Sequence, residues 1–472
     1  VDLIALTLDR IAEITQARLG PSARPEAVVD GPVVVDSRQV RPGSLFVALG
    51  GDRADGHDFA DAAVAAGAAA VLGSRPVAAP ELLADGGDAE VVAALGRLAR
   101  HVAGRLTGAD IVGVTGSSGK TTTKDMLAQV LGGLGPTIAP PGSFNNEIGH
   151  PLTVLRADAA TRFIVLEVAA RGIGHIAHLC EIAPPRIGVV LNVGSAHMGE
   201  FGGRDAIARA KGELVEALPA AADGGVAVLN ADDDAVRGMA PRTAARVVTY
   251  GTAADADVRA ADVRLDTAGR PAFTLHVGGA SAEVRLALVG VHQVHNALAV
   301  AAVAAEFGMG AEAIAAALGA AGPVSRWRME VTELDDGVTV VNDAYNANPE
   351  SMAAALRTLA VLAAQRRSIA VLGYMAELGG EARAEHEAVG RLAAETGVAT
   401  LVIVGEDAAP IADGARGAPG WDGEVLRVSD AAEAAAVLRG RLRPKDVVMV
   451  KGSRVAGLEH VAERLVSGEA AQ

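Results

Sequence analysis

Residues 111–131 read IVGVTGSSGKTTTKDMLAQVL, an apolar strand, a glycine-serine loop and a helix in direct succession. A strand that enters a helix through so little side-chain bulk leaves backbone N–H groups unpaired at the helix N-terminus, where anions bind. It also implies a parallel sheet with helices on its faces, because such a unit must bury both sides of the strand. Thr115, Gly116, Ser117, Ser118, Gly119, Lys120, Thr121 and Thr122 therefore form a candidate phosphate-holding loop for ATP. Lys120 would neutralise the terminal phosphates, and the Thr121 hydroxyl is suited to Mg²⁺. The usual spacing has glycine at position 114; here Val114 stands there and Gly113 comes one residue early, so the loop is a variant. A glycine-rich turn without a ligand is the alternative, disfavoured because strand, Gly-Lys-Thr and helix coincide.

Further alternation surrounds this unit. Strands such as PVVVDS and SLFVAL alternate with alanine-rich helices before it. RFIVLEV, RIGVVLNV and GVAVLN follow as buried strands, and residues 247–288 alternate in the manner of an antiparallel appendage. VTVVND, SIAVLGY, TLVIVG and DVVMVKG mark a third block with Rossmann-like periodicity. The predicted fold is α/β with three domains. These are a small N-terminal α/β domain over 1–108, a central P-loop parallel-sheet domain over 109–321, and a C-terminal Rossmann-like domain over 322–472. A chain of 472 residues, half of them apolar, suits several cores.

Charge and composition narrow the class. An excess of 57 acidic over 42 basic residues gives a formal charge of −15, against a nucleic-acid or membrane-surface binder. A single cysteine, Cys180, excludes an internal disulfide framework. No apolar run reaches the roughly 18 to 20 residues of a membrane span, and a cytoplasmic location is expected. The basic residues are almost all arginine; the lysines are Lys120, Lys124, Lys211, Lys445 and Lys451. Lys211, in ARAKGELVEAL, stands out because Ile207, Leu214, Val215 and Leu218 would share its helical face. From spacing alone it reads as a snorkelling lysine whose stem covers the core.

The loop TGSSGKTTT resembles the TG-x-x-GKT loop of the Mur ligases, the ATP-dependent amide ligases of peptidoglycan assembly. The resemblance spans nearly the whole chain. DSRQVRPGSLFVALGGDRADGHDF is similar to the N-terminal domain of the members that add the third residue and the final dipeptide. PGSFNNEIGHPLTVL and VNDAYNANPESM resemble the dipeptide-adding members, and the absence of a DNPR signature separates the chain from the diaminopimelate adders. The resemblance implies a substrate carboxylate activated as an acyl phosphate by ATP and then attacked by an amine. The substrates implied are UDP-N-acetylmuramoyl-tripeptide and D-alanyl-D-alanine, and a monomer is expected.

The family pattern also implies roles for single residues. Thr121 and Glu167 would hold one Mg²⁺, and His197 a second; Lys211 would carry a carbamate that reaches this second ion, since burial supplies the neutral amine needed to capture carbon dioxide. Lys120, Glu167, His197 and Lys211 thus form the implied catalytic set. Asn296 in GVHQVHNALAV would meet adenine, while Arg328 and Asp343 would reach phosphate and ribose from the third domain. Ser37 and Arg38 would contact the uridine diphosphate end, Asn145 and Asn146 the muramoyl peptide, and Tyr345, Asn346, Asn348 and Lys451 the dipeptide. An asparagine pair is equally typical of a turn. Gly212 is expected to permit close approach of backbone or substrate.

Two departures bear on specificity. Ala169 stands where the family has glycine, and Tyr374 in VLGYMAELG stands where an acid is expected, leaving Glu377 and nearby His386 available. A ligase for a single amino acid and a non-catalytic nucleotide switch are the competing readings. A second metal set argues against the switch.

Overall fold

A computed structural model describes residues 5–51, 54–194 and 203–468. Three principal β-sheets organise it. The N-terminal sheet runs in the order Arg18–Leu19, Glu81–Leu83, Ala70–Gly73, Leu45–Val47 and Val33–Val34. It is parallel except at its Arg18–Leu19 edge. The helix Asp88–Arg105 carries Val91, Leu95, Leu98 and Val102 on one stripe at helical spacing, all fully buried. Their core is continuous with Ile176, Leu179 and Ile182 on the helix His175–Ile182, so the first block is docked through an apolar seam.

Nine strands form the central sheet. Asp110–Thr115 lies between Phe163–Glu167 and Ile187–Val190, parallel to both. The chain thus departs to opposite sides of this strand, and the carboxyl ends of the three open the crevice where ligands of such sheets bind. Val226–Asn230 and Arg246–Gly251 extend the parallel run. The segment expected as an antiparallel appendage is instead part of this sheet. Val258–Leu265 joins Arg246–Gly251 in parallel register at Tyr250 and Val258, and Pro271–Val277 and Ala280–Arg285 follow antiparallel. Phe273, Leu275 and Val284 are fully buried on the face shared with the helix Gln293–Glu306, which is why the meander stays attached.

The C-terminal sheet runs Glu330–Glu333, Thr339–Asn342, Val447–Lys451, Ser368–Leu372, Thr400–Val404 and Glu424–Val428. Only its first strand is antiparallel. Its central strands are buried along their length, as a sheet covered on both faces requires. Where the chain enters this block, Gln129 of the helix Lys120–Gly132 clasps Gly322. Its Nε2 donates to the Gly322 carbonyl (3.0 Å) and its Oε1 accepts from the Gly322 amide (3.0 Å). Asp125 Oδ2 accepts from the Ser325 amide (3.2 Å) three residues further on. No helix among the described residues is long and apolar enough to cross a membrane.

Candidate active site

Gly119 ends the phosphate loop with φ +81° and caps the helix Lys120–Gly132. A Cβ there would stand 2.5 Å from Asn296 Oδ1, so glycine is required twice over, for the left-handed backbone and for the approach of Asn296. Asn296 is buried and donates from Nδ2 to Gln293 Oε1 (2.8 Å). Lys120 folds back, its Nζ donating to the Gly116 carbonyl (2.7 Å). Burial pulls its pKa down, opposed by the nearby Glu167 carboxylate.

Thr121 is the centre of a four-residue knot. Its Oγ1 donates to Glu167 Oε2 (2.9 Å), pairs with Ser143 Oγ (2.9 Å) and accepts from Arg328 Nη2 (3.1 Å). Glu167 ends its strand almost fully buried, and its other oxygen accepts from Asn145 Nδ2 (2.7 Å). Arg328 also reaches Ser143 Oγ (3.3 Å), and its guanidinium lies 4.1 Å from the centre of the Tyr345 ring. This arginine enters from the C-terminal block on a strained turn. Trp327 and Met329, on either side of it, have φ of +59° and +51°, unusual for side chains of that size. Asp343 Oδ1 holds the turn by accepting from the Met329 amide (3.0 Å).

The same aspartate pairs with Lys451. Nζ of Lys451 donates to Asp343 Oδ2 (2.6 Å) and to the Asn346 carbonyl (2.9 Å), in a setting where the lysine is 2 % exposed. Desolvation lowers its pKa, and Asp343 opposes the shift. Asn348 caps the helix Pro349–Ala363 and donates from Nδ2 to the Ser117 carbonyl (3.2 Å), placing the C-terminal block directly on the phosphate loop. A cleft of ≈560 Å³ results, lined from one block by Ser117–Thr122 and Glu167 and from the other by Arg328, Asp343 and Asn348. Asn145, Tyr345, Asn346 and Lys451 line it as well.

Not every candidate enters the cleft. Asn146 accepts on Oδ1 from the Gly149 amide (2.9 Å) and the Ile148 amide (3.3 Å) near the start of the helix Gly149–Val154, so the asparagine pair divides between Glu167 and a turn. Ser37 and Arg38 sit on the 3-10 turn Ser37–Gln39 of the N-terminal block, where Arg38 is paired with Asp36. Ala169 and Glu377 line the cleft. His386 is committed to structure, with Nε2 accepting from the Met375 amide (2.9 Å) and its other ring nitrogen bonded to the Ala382 carbonyl (2.6 Å). His197 lies outside the described residues.

Lys211 is 4 % exposed on the helix Arg204–Glu216, with Ile207, Leu214 and Val215 buried beside it. Among the described residues its ammonium has no hydrogen-bond or ion-pair partner, and burial drives its pKa well below the ordinary value, with Lys120 adding to the shift. The group packed against Gly212 is the Arg242 side chain, whose Nη1 would stand 1.9 Å from a Cβ. That guanidinium donates to the Ala208 and Arg209 carbonyls (3.1 and 2.8 Å) and to Glu216 (2.8 Å), lying flat on the helix. On the same helix, buried Glu213 accepts from the Gly174 and Ala177 amides (2.6 and 3.0 Å) at the start of His175–Ile182.

Sequence reasoning missed Ser143 and Asn192. Asn192 Oδ1 accepts from the Ser117 and Ser118 amides (2.9 Å each). Both residues follow carboxyl ends of parallel strands, and that position was the available signal.

The Mur ligase middle domain matches residues 114–304, the Mur ligase glutamate ligase domain residues 327–454, and the Mur ligase family catalytic domain residues 32–103. The UDP-N-acetylmuramoyl-tripeptide--D-alanyl-D-alanine ligase of Mycobacterium tuberculosis is 52% identical, with 99% of each chain covered. The chain belongs to the Mur ligase family. The Escherichia coli K12 protein of the same description is 34% identical over 98% of this Mur ligase and 99% of its own length. Among solved structures, MurF from Acinetobacter baumannii superposes with a TM-score of 0.86 at 30% identity, covering 99% of this chain and 100% of that one. MurF from Thermotoga maritima in complex with ADP gives 0.78 at 32%, covering 92% and 97%.

Proposed function

We propose that this Mur ligase joins D-alanyl-D-alanine to UDP-N-acetylmuramoyl-tripeptide, using ATP and releasing ADP and phosphate. The observation that carries the chemistry is the knot of Thr121, Glu167 and Arg328 beside Lys120, assembled from two blocks around one cleft. The 52% identity over the whole chain supports the choice of substrates. The blocks 1–108, 109–321 and 322–472 would bind the uridine diphosphate end, the nucleotide and the dipeptide respectively. Lys120 and Arg328 would neutralise the transferring phosphate, so that a substrate carboxylate oxygen can bond to the γ-phosphorus as its bond to ADP breaks, giving an acyl phosphate and ADP. The amine of the dipeptide then attacks the acyl phosphate carbon, phosphate leaves with the bonding electron pair, and the amine gives up its proton. Asn296 would face adenine.

A hydroxyl and a carboxylate oxygen 2.9 Å apart are hard donors that fit Mg²⁺, which retains waters and phosphate oxygens in its shell. Bound there, the ion would lower the charge repulsion among the phosphates. A second ion would be held by His197 and by a carbamate on Lys211; the unpartnered buried amine fits that modification. A monomer working in the cytoplasm completes the reading.

The test is phosphate release measured with each substrate omitted in turn and with a panel of single amino acids and dipeptides. Release that requires both tripeptide and D-alanyl-D-alanine supports the reading. Turnover with a single amino acid, or nucleotide binding without turnover, overturns it.

A further inference from the structure

Thr121, Lys124 and Asp125 lie at i, i+3 and i+4 of the helix Lys120–Gly132. One helical face therefore carries the hydroxyl at the centre of the site and, one turn further on, a lysine paired with an aspartate. Both members of the pair are buried, Lys124 to 1 % exposure, and neither lines the catalytic cleft. Taking two charges out of water costs several kcal/mol per ion, and apolar side chains of similar volume often serve stability as well or better. Packing alone does not account for charges at these positions.

Their other contacts do. Lys124 Nζ donates to the Pro140 carbonyl (2.9 Å), and Asp125 Oδ2 accepts from the Ser325 amide (3.2 Å). Three residues after Pro140 comes Ser143, and three after Ser325 comes Arg328. Both return to the same helical face at Thr121 Oγ1, Ser143 Oγ at 2.9 Å and Arg328 Nη2 at 3.1 Å. Each segment is thus tied twice to one helix, by its backbone at the ion pair and by a side chain at Thr121. Arg328 also donates to Ser143 Oγ (3.3 Å), which joins the two rings. An apolar pair could hold neither the carbonyl of one segment nor the amide of the other.

We propose that the buried Lys124–Asp125 pair is a positioning unit for phosphate transfer, fixing the segments Pro140–Ser143 and Ser325–Arg328 in one register so that Ser143 and Arg328 reach Thr121 together. Neither member touches substrate. The inference rests on the ligase reading above.

The experiment compares Lys124→Met, Asp125→Asn and the double variant with the parent, using the whole chain. Thermal midpoints are read by calorimetry, and phosphate release is measured per folded molecule with whichever acceptor the parent uses. Which acceptor that is tests the ligase reading, and the ratio of variant to parent tests the pair, so the two can fail separately. Each single variant strands a buried partner; Asp125→Asn leaves one acceptor oxygen for two donors. The double variant removes both charges and should be the most stable of the three. Its kcat should nevertheless stay at least about tenfold below the parent's, with the acceptor's KM within about twofold, because the groups displaced act on phosphate. A purely structural pair would recover activity along with stability. The proposal is overturned by a kcat loss under about tenfold in the double variant, by a change of more than about twofold in the acceptor's KM, or by a double variant that is not the most stable of the three.

Discussion

The Asp343–Lys451 pair offers a quantitative test of how the C-terminal block presents Arg328. In Asp343→Asn the side chain keeps its shape and can still accept from the Met329 amide, but the buried Lys451 ammonium loses its only carboxylate partner among the described residues. Charge-assisted hydrogen bonds contribute about 1.5–3 kcal/mol, and removing one member of a buried ion pair costs about 3–5. The Asn346 carbonyl remains 2.9 Å from the amine, which places the expected loss near the overlap of those ranges, about 3 kcal/mol at pH 7. The chain's two tryptophans, Trp327 and Trp421, both lie in the C-terminal block, so their fluorescence follows its unfolding in urea. At a slope of about 1.5–2 kcal/mol/M the midpoint should fall by about 1.5–2 M.

The pH dependence has a definite sign. Burial holds the folded Lys451 pKa below 10.5, so between the two values the unfolded chain binds more protons and stability rises with pH. Removing the carboxylate lowers the folded value further and widens that window downward. The variant's deficit should therefore shrink as pH is raised from 7 towards 9.5. A loss under about 1 kcal/mol, or a deficit independent of pH, would refute the assignment of this pair as a buried charged contact.

Three further outcomes follow from the site. Glu167→Gln should keep the fold and the thermal midpoint but lower phosphate release at least about a hundredfold, because the amide cannot supply a charged donor for a metal ion; near-normal release would remove Glu167 from the reaction. Lys211→Ala should be inactive and recover part of its activity with added short carboxylates, whereas full activity without them would make the residue structural. Glu213→Ala uncaps two amides and should cost about 1–3 kcal/mol, lowering the thermal midpoint by about 2–4 °C for each, read by calorimetry; an unchanged midpoint would show that the cap is dispensable.

The phosphate loop was legible because its chemistry is local: strand, glycines, lysine and hydroxyls lie within a dozen residues. Glu167 was reached through the family pattern, and the structure places it at the end of its strand, hydrogen-bonded to Thr121. The rest depended on tertiary placement. Asn145 and Asn146 are the same residue type in adjacent positions, yet one is drawn to Glu167 and the other to a turn, a distinction set by side-chain direction alone. A close approach at Gly212 was readable, but the side chain that makes it, Arg242, comes from 30 residues away. Alternation marked residues 247–288 as strands without showing that Tyr250 and Val258 would pair in parallel and keep them in the central sheet. The backbone strain flanking Arg328 has no compositional signature, since tryptophan and methionine do not favour positive φ.

The Gln129 clasp has a mechanical consequence. Both backbone groups of Gly322 are engaged by a side chain two turns into the helix that begins with Lys120, so the crossing between blocks is anchored to the helix that leaves the glycine-rich loop. The C-terminal sheet is then the long arm of a lever, and the helix Lys120–Gly132 its fulcrum. A swing of that arm large enough to carry Arg328 away from Thr121 must twist the few residues between Gly322 and Trp327 and also part Asn348 from the Ser117 carbonyl.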